Sequence, residues 1–139
     1  MKKNVLVLPG DGIGQEVCEA ALPVISAMGL PITLTFGEIG WTCWEREGNP
    51  VPARTWEQIA HADAVLLGAI TSKGKVQAQQ ALPLSLQQQA IEYVSPVIQL
   101  RQKLGLYANI RPVKSNAAVK TPFENVDIVI FRENTEGLY

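Results

Sequence analysis

The sequence predicts an α/β fold: a parallel or mixed sheet with flanking helices. Three observations point there. Short apolar runs recur at 4–8 (NVLVL), 64–69 (AVLLGA) and 126–132 (VDIVIFR). Continuous runs of this kind suit strands covered on both faces, whereas a half-exposed strand alternates. The first run passes through a glycine-rich break, PGDGIG, into a stretch where Val17, Ala20, Ala21, Val24 and Ile25 recur at helical spacing. Strand, glycine turn and helix together make a βα unit.

Taken in order, 4–8 is a first buried strand and 15–28 a helix, with Pro23 expected to kink it or end it early and Gly29 to stop it. Residues 31–38 alternate Ile32, Leu34 and Phe36 against Thr33 and Thr35, a half-buried strand. A short helix is expected at 41–47, ended by Gly48-Asn49, then a loop through Pro50 and Pro52. Thr55 followed by Gln58 reads as a capping box opening a helix at 55–62. His61 falls in its last turn and needs no chemical role there. Residues 64–69 are the next buried strand. The glutamine-rich 77–89 reads as a flexible surface loop.

Ser95 caps a further helix with Pro96 at its first position, and Gly105 stops it. Residues 106–113 form a strand with Tyr107, Asn109 and Arg111 on one face. Residues 114–125 are a polar loop expected to cross to a second domain, and 126–132 a buried strand. No internal repeat is evident.

Composition narrows the function. The chain has 139 residues, 47% hydrophobic and 18% charged, with a net charge of −1 and no basic cluster. Nucleic acid is therefore not an expected partner. No apolar run approaches the roughly 20 residues of a membrane helix. The opening MKKNVLVLPGDG carries two lysines, but its apolar run breaks at Pro9-Gly10, so it reads as a strand and not a leader. Cys18 and Cys43 are too few and too far apart for a zinc site and are expected as free thiols in a reducing cytoplasm.

Two features carry chemistry. The glycine turn is spaced G-x-G-x-G (Gly10, Gly12, Gly14), not G-x-G-x-x-G, and no convincing acidic residue follows about 20 positions on. It does not predict a Rossmann dinucleotide site; its glycines fit a helix start laid closely on a strand, with Asp11 beside it. The second feature is the trio Arg101, Arg111 and Arg132, arriving from three elements. A guanidinium is a rigid fork of donors that matches a carboxylate. Singly, each reads as readily as a surface charge; together they suit a small substrate with several carboxylates. Tyr139 adds a phenol, a possible proton donor.

The blocks LPGDGIGQEV, ADAVLLGAI, LRQKLGLYANIRPVKS and FRENTEGLY, in that order, resemble the β-decarboxylating dehydrogenase family. Its members act on isocitrate, homoisocitrate, 3-isopropylmalate and tartrate. The resemblance covers essentially the whole chain and implies the isopropylmalate dehydrogenase-like fold. On it, 1–105 is the N-terminal part of a large α/β domain and 106–139 starts a second, substrate and dimerisation domain. The chain then reads as an incomplete, N-terminal portion of a longer enzyme and is expected to be inactive alone. The resemblance implies substrate contacts at Ser95, Arg101, Arg111 and Arg132, and a catalytic proton donor at Tyr139. It implies coenzyme contacts at Ile13, Thr71 and Ser72, with NAD or NADP. It also implies Mg2+ or Mn2+, whose ligands, like a lysine base from a partner subunit, have no counterpart in this sequence, so no residue here is assigned to metal. The expected partners are a 2-hydroxy di- or tricarboxylate and further copies of the chain, as a homodimer or larger.

Two positions depart from the pattern. Lys73 stands where the Thr-Thr-Pro or Thr-Ser-Pro core has proline, and Val97 where many isocitrate enzymes have asparagine. FRENTEGLY resembles isocitrate, homoisocitrate and some archaeal-type isopropylmalate enzymes, and the usual bacterial isopropylmalate pattern ranks lower. A non-catalytic subunit or interaction protein on the same fold is the alternative from another class.

Overall fold

Strand β1 (Lys3–Gly10) is the middle of a three-stranded parallel sheet, with β2 (Ile32–Phe36) on one side and β3 (Ala64–Ala69) on the other. Val5 lies opposite Leu34 and Ala64, and Val7 opposite Phe36 and Leu66. This central position explains the continuous apolar run. Leu6, Val7 and Leu8 are each 0% exposed, and burial of each stabilises the fold by about 1.5–3 kcal/mol. The computed structural model describes residues 1–136, in a first unit, Met1–Val97, and a second that begins at Ile98.

In the first unit α1 (Gly14–Ala27) follows β1. It runs through Pro23 without ending there. The ring removes one backbone donor, and the Glu19 carbonyl it would have met is on an exposed part of the helix, where water can satisfy it. Helix α2 (Trp41–Glu47) and strand β3 have the expected bounds. Helix α3 (Ala53–Ala60) does not. It begins two residues earlier than the capping box predicts, with Pro52 at the cap. Thr55 is fully buried, and its hydroxyl donates to the Glu38 carbonyl at 2.6 Å. Gln58 donates to the Phe36 carbonyl at 3.1 Å. Both side chains tie the helix to the segment after β2, so they are unavailable for capping.

The glutamine-rich stretch is not a flexible loop. It forms α4 (Lys75–Ala81) and α5 (Leu84–Gln87). Ala78 and Leu82 are buried against Trp41 and Trp44, and Ala81, Leu86, Ile91 and Tyr93 close the cluster. The Trp44 indole N–H donates to the Ala78 carbonyl at 2.8 Å, and Tyr93 meets both tryptophans edge-on. Few apolar residues among the glutamines suffice, because large aromatic partners bury them.

Helix α6 (Pro96–Lys103) starts at the proline, as expected. The second unit holds β4 (Ala108–Lys114) and β5 (Asp127–Glu133), an antiparallel pair. The connection between them therefore returns the chain to its own neighbour strand, and does not cross to another domain. Nor is β5 buried: Ile128, Val129, Ile130 and Phe131 are all exposed. A two-stranded ribbon has no second layer to cover either face.

The tightest packing is where α1 starts. A side-chain carbon on Gly14 would lie 2.1 Å from the Pro9 carbonyl oxygen and 2.6 Å from that of Ala69; on Gly68 it would lie 2.2 Å from the Pro9 oxygen. These neighbours are backbone and cannot move aside. Gly14→Ala is expected to destabilise the chain by at least about 3 kcal/mol in urea unfolding, the upper part of the overpacking range. Gly74→Ala, at a helix cap with open space around it, should stay within about 1 kcal/mol.

Glu38 and Glu47 share Arg46 and Arg54 on the surface, with nitrogen–oxygen distances of 2.7–2.9 Å. Hydrogen bonds from Arg46 and then Arg54 pull Glu38 to about 2 from its ordinary 4.5. Arg54 is the larger influence on Glu47, also about 2. Folded-state values below the unfolded ones mean stabilisation that is full above pH 4.5 and lost as pH falls toward 2. The groups are about half exposed, so solvent reduces the effect. Arg54→Met is expected to flatten the decline in urea midpoint across that window.

Candidate active site

The carboxyl ends of β1 and β3 form the first candidate region, wholly inside the first unit. Open parallel sheets bind ligands where the chain leaves one neighbour of a strand and later returns on its other side. Here β1 has β2 on one flank and β3 on the other. The loops leaving β1 and β3 carry Ile13, Thr71 and Ser72. Thr71 Oγ1 lies so near the glycine turn that a side-chain carbon on Gly12 would be 3.2 Å from it. Ile13 is 61% exposed and Ser72 is exposed. The edge therefore brings an exposed isoleucine and two hydroxyl-bearing residues to the carboxyl end of the sheet.

Asp11 holds this edge together. Its Oδ1 accepts from the Thr71 backbone N–H at 2.7 Å, and its Oδ2 accepts from the Trp41 N–H at the start of α2. Gly40 makes room for it: its φ is +108°, and a side-chain carbon there would sit 2.2 Å from Oδ2. The sequence places Asp11 beside α1; the fold directs its carboxylate to α2 and the β3 loop instead. No local signal reveals this, because its partners are 30 and 60 residues away. Lys73, at the position of the family proline, lies 4.6 Å from the Trp41 ring centre, a cation–π contact.

The second region lies in the second unit. Helix α6 ends in a paired turn: Leu106 N–H donates to the Arg101 carbonyl and Gly105 N–H to that of Gln102, with Gly105 left-handed at φ +60°. This turn leads from the half-buried Arg101 directly into β4. In the ribbon, Asn109 is opposite Arg132 and Arg111 opposite Ile130. Opposed residues in an antiparallel pair point to the same face, and diagonal neighbours lie roughly 7–8 Å apart. Arg111 and Arg132 thus share one face with Asn109 between them, whose side-chain oxygen accepts from Arg111 Nε at 3.0 Å.

Beyond β5, Glu133 organises the turn. Oε1 accepts from the Thr135 N–H and hydroxyl, and Oε2 from the Glu136 N–H. The Thr135 hydroxyl first, then these N–H groups, lower its pKa to about 2. Asn134 is buried and donates to the Leu106 carbonyl at 3.4 Å. Neither residue stands out in the sequence. Ser95 is half-buried immediately before α6. Tyr139 lies outside the described residues. Among the described residues no group of three or more His, Cys, Asp or Glu side chains is placed to hold a metal ion, and no helix is long and apolar enough to cross a membrane. Cys18 and Cys43 are buried and form no disulfide, and burial raises the Cys43 thiol pKa.

A parallel sheet with flanking helices, and a separate antiparallel ribbon, define an α/β protein. The chain belongs to the isocitrate/isopropylmalate dehydrogenase family, which it matches over residues 4–139. It is 53% identical over 136 residues to protein DlpA of Legionella pneumophila, covering 98% of this chain and 22% of that protein. It is 40% identical over 139 residues to the isocitrate/homoisocitrate dehydrogenase of Thermus thermophilus, covering 100% of this chain and 37% of that one. The isocitrate dehydrogenase structure from Methylococcus capsulatus superposes with a TM-score of 0.77 at 34% identity, over 99% of this chain and 36% of that one. The chain spans well under half the length of the curated relatives it matches, 22% to 40%.

Behind the β3 loop, the Tyr93 hydroxyl is buried without a full hydrogen-bond partner. Burial and then the Asp11 carboxylate raise its pKa, and the nearby Ser72 side chain, outside good hydrogen-bond geometry, acts in the other direction. Removing an unsatisfied buried hydroxyl relieves its desolvation penalty. Tyr93→Phe is therefore expected to be neutral or stabilising by up to about 1 kcal/mol in thermal unfolding; a clear loss of stability would reveal a partner for the hydroxyl.

Proposed function

We propose that the chain is part of an NAD(P)-dependent β-decarboxylating dehydrogenase for a 2-hydroxy acid bearing a 3-carboxylate, isocitrate or homoisocitrate before 3-isopropylmalate. The observation that carries this reading is the pairing of Arg111 and Arg132 on one face of the ribbon, in a chain of this family. In the reaction the C2–H bond breaks and its hydride leaves, while the hydroxyl proton goes to a base. The C3–carboxylate bond then breaks, releasing carbon dioxide, and its electron pair forms an enolate that takes a proton at C3.

Each step places a demand on this chain. Arg101, Arg111 and Arg132 neutralise and orient the carboxylates. Ser95 adds a hydroxyl at the start of α6. Tyr139, matching the family tyrosine, supplies the proton to the enolate carbon. Ile13, Thr71 and Ser72 receive the nicotinamide coenzyme, which when bound accepts the hydride. The divalent metal implied by the family finds no ligand set among the described residues, so no step is assigned to it. The protein works in the cytoplasm as a homo-oligomer in this reading, with the domain division near 105.

A second reading is a non-catalytic module on the same fold. In the 53% identical relative the matching stretch makes up only 22% of a longer chain.

The arginines separate the two. In the whole protein, each Arg→Ala change should lower kcat/KM on the best of isocitrate, homoisocitrate and 3-isopropylmalate by about 2–5 kcal/mol, as for breaking a desolvated charge pair. Surface arginines would lose about 0–1 kcal/mol. Arg→Lys should also be damaging, because an ammonium lacks the paired fork. Values within a few-fold of the parent for all three would sink the site assignment, and no turnover by the parent protein would favour the second reading.

A further inference from the structure

The carboxylate of Asp11 joins three segments distant in sequence, and each contact is specific. Its two oxygens are divided between the Thr71 and Trp41 N–H groups. Its own backbone is fixed as well: the Asp11 N–H donates to the Ala69 carbonyl at 3.0 Å, and its carbonyl accepts from Gly14 N–H at 2.9 Å. Residue 40 has no room for a side chain because this carboxylate occupies the space. The main chain cannot swing away, and the side chain has little freedom left.

The same arrangement fastens the β3 loop at two points. Thr71 is held through its N–H by Asp11. Lys73 is held over the ring of Trp41, and the Trp41 backbone N–H is bonded to the other oxygen of Asp11. Ser72 lies between these anchors and is exposed. A loop pinned on either side of one exposed residue holds that residue in a fixed place, which reduces the ordering entropy that binding would otherwise have to offset.

From this geometry we infer that Asp11 is a positioning residue for coenzyme binding, holding Thr71 and Ser72 at the carboxyl ends of β1 and β3, with the Lys73–Trp41 pair as a second fastening. The inference rests on the reading, given above, that Thr71 and Ser72 meet the coenzyme. Asp11 engages backbone N–H groups with both of its carboxylate oxygens. Its effect is therefore on coenzyme affinity, not on the carboxylate substrate.

The test uses the whole protein and calorimetric titration with NAD+ and with NADP+, alongside KM for the hydroxy acid and the thermal midpoint. Asp11→Asn replaces one acceptor oxygen by a donor that opposes an N–H group. Its dissociation constant for the preferred coenzyme is expected to rise about tenfold or more, roughly the loss of one charge-assisted hydrogen bond, while KM for the hydroxy acid changes much less. Lys73→Met, on an exposed side chain, should weaken coenzyme binding by a smaller factor with no fall in thermal midpoint, and it keeps the test open if Asp11→Asn does not fold. Ser72→Ala separates the two levels of the argument. If Ser72→Ala weakens coenzyme binding and neither Asp11→Asn nor Lys73→Met does, the positioning role is wrong and the coenzyme loop stands. If Ser72→Ala and Thr71→Val both leave coenzyme binding unchanged, the loop assignment fails, and the positioning role with it. A lower thermal midpoint with coenzyme and hydroxy-acid constants shifted equally would reduce Asp11 to a structural residue and overturn the inference.

Discussion

The first unit depends on backbone meeting backbone without side chains between. Gly14 and Gly68 bring the start of α1 against the Pro9 and Ala69 carbonyls, and Asp11 N–H bonds to the Ala69 oxygen as a result. This approach sets the depth at which the glycine turn sits between β1 and β3. With the turn at that depth, the Asp11 carboxylate reaches Thr71 and Trp41 together. A turn displaced by a single methyl group would break that geometry. A steric condition at three backbone segments thus precedes the electrostatics of the candidate site.

The parts of the fold legible in the sequence are those with a strong local signal. The apolar run of β1 is continuous because the strand is central. Helix α2 ends at Gly48, which adopts φ +66°, a conformation glycine accepts without penalty. The misread parts share a different origin: a local pattern with a more favourable distant use. Thr55 and Gln58 have capping-box spacing, yet both bond across to carbonyls of the segment around β2. The glutamines between 77 and 89 obscured Ala78 and Leu82, whose burial is decided by Trp41 and Trp44. The apolar run in β5 looks like a buried strand, but what covers a strand is not written in it.

The site was legible to a similar degree. The arginines announce themselves by residue type, and the strand register then puts two of them on one face, which alternation along a single strand cannot establish. Asp11 and Asn134 act through backbone groups, and Glu133 through backbone groups and the Thr135 hydroxyl. A residue that bonds to N–H or C=O groups has no chemically distinctive partner for a sequence pattern to find. Such residues emerge only when the chain is folded, and here all three lie at turns that leave strands.

The pairing of Lys73 with Trp41 has an optical consequence. Indole emission shifts with the electric field at the ring, and Lys73 puts a positive charge 4.6 Å from the Trp41 centre. The second indole of the cluster, Trp44, is held by its N–H on the Ala78 carbonyl and enclosed at 1% exposure. One tryptophan therefore senses the loop after β3, and its neighbour, only three residues along the same helix, senses the core. Two of the three tryptophans thus form a signal and reference pair, so with Trp56 changed to phenylalanine, opening of that loop in solution would be visible in intrinsic emission without any attached dye.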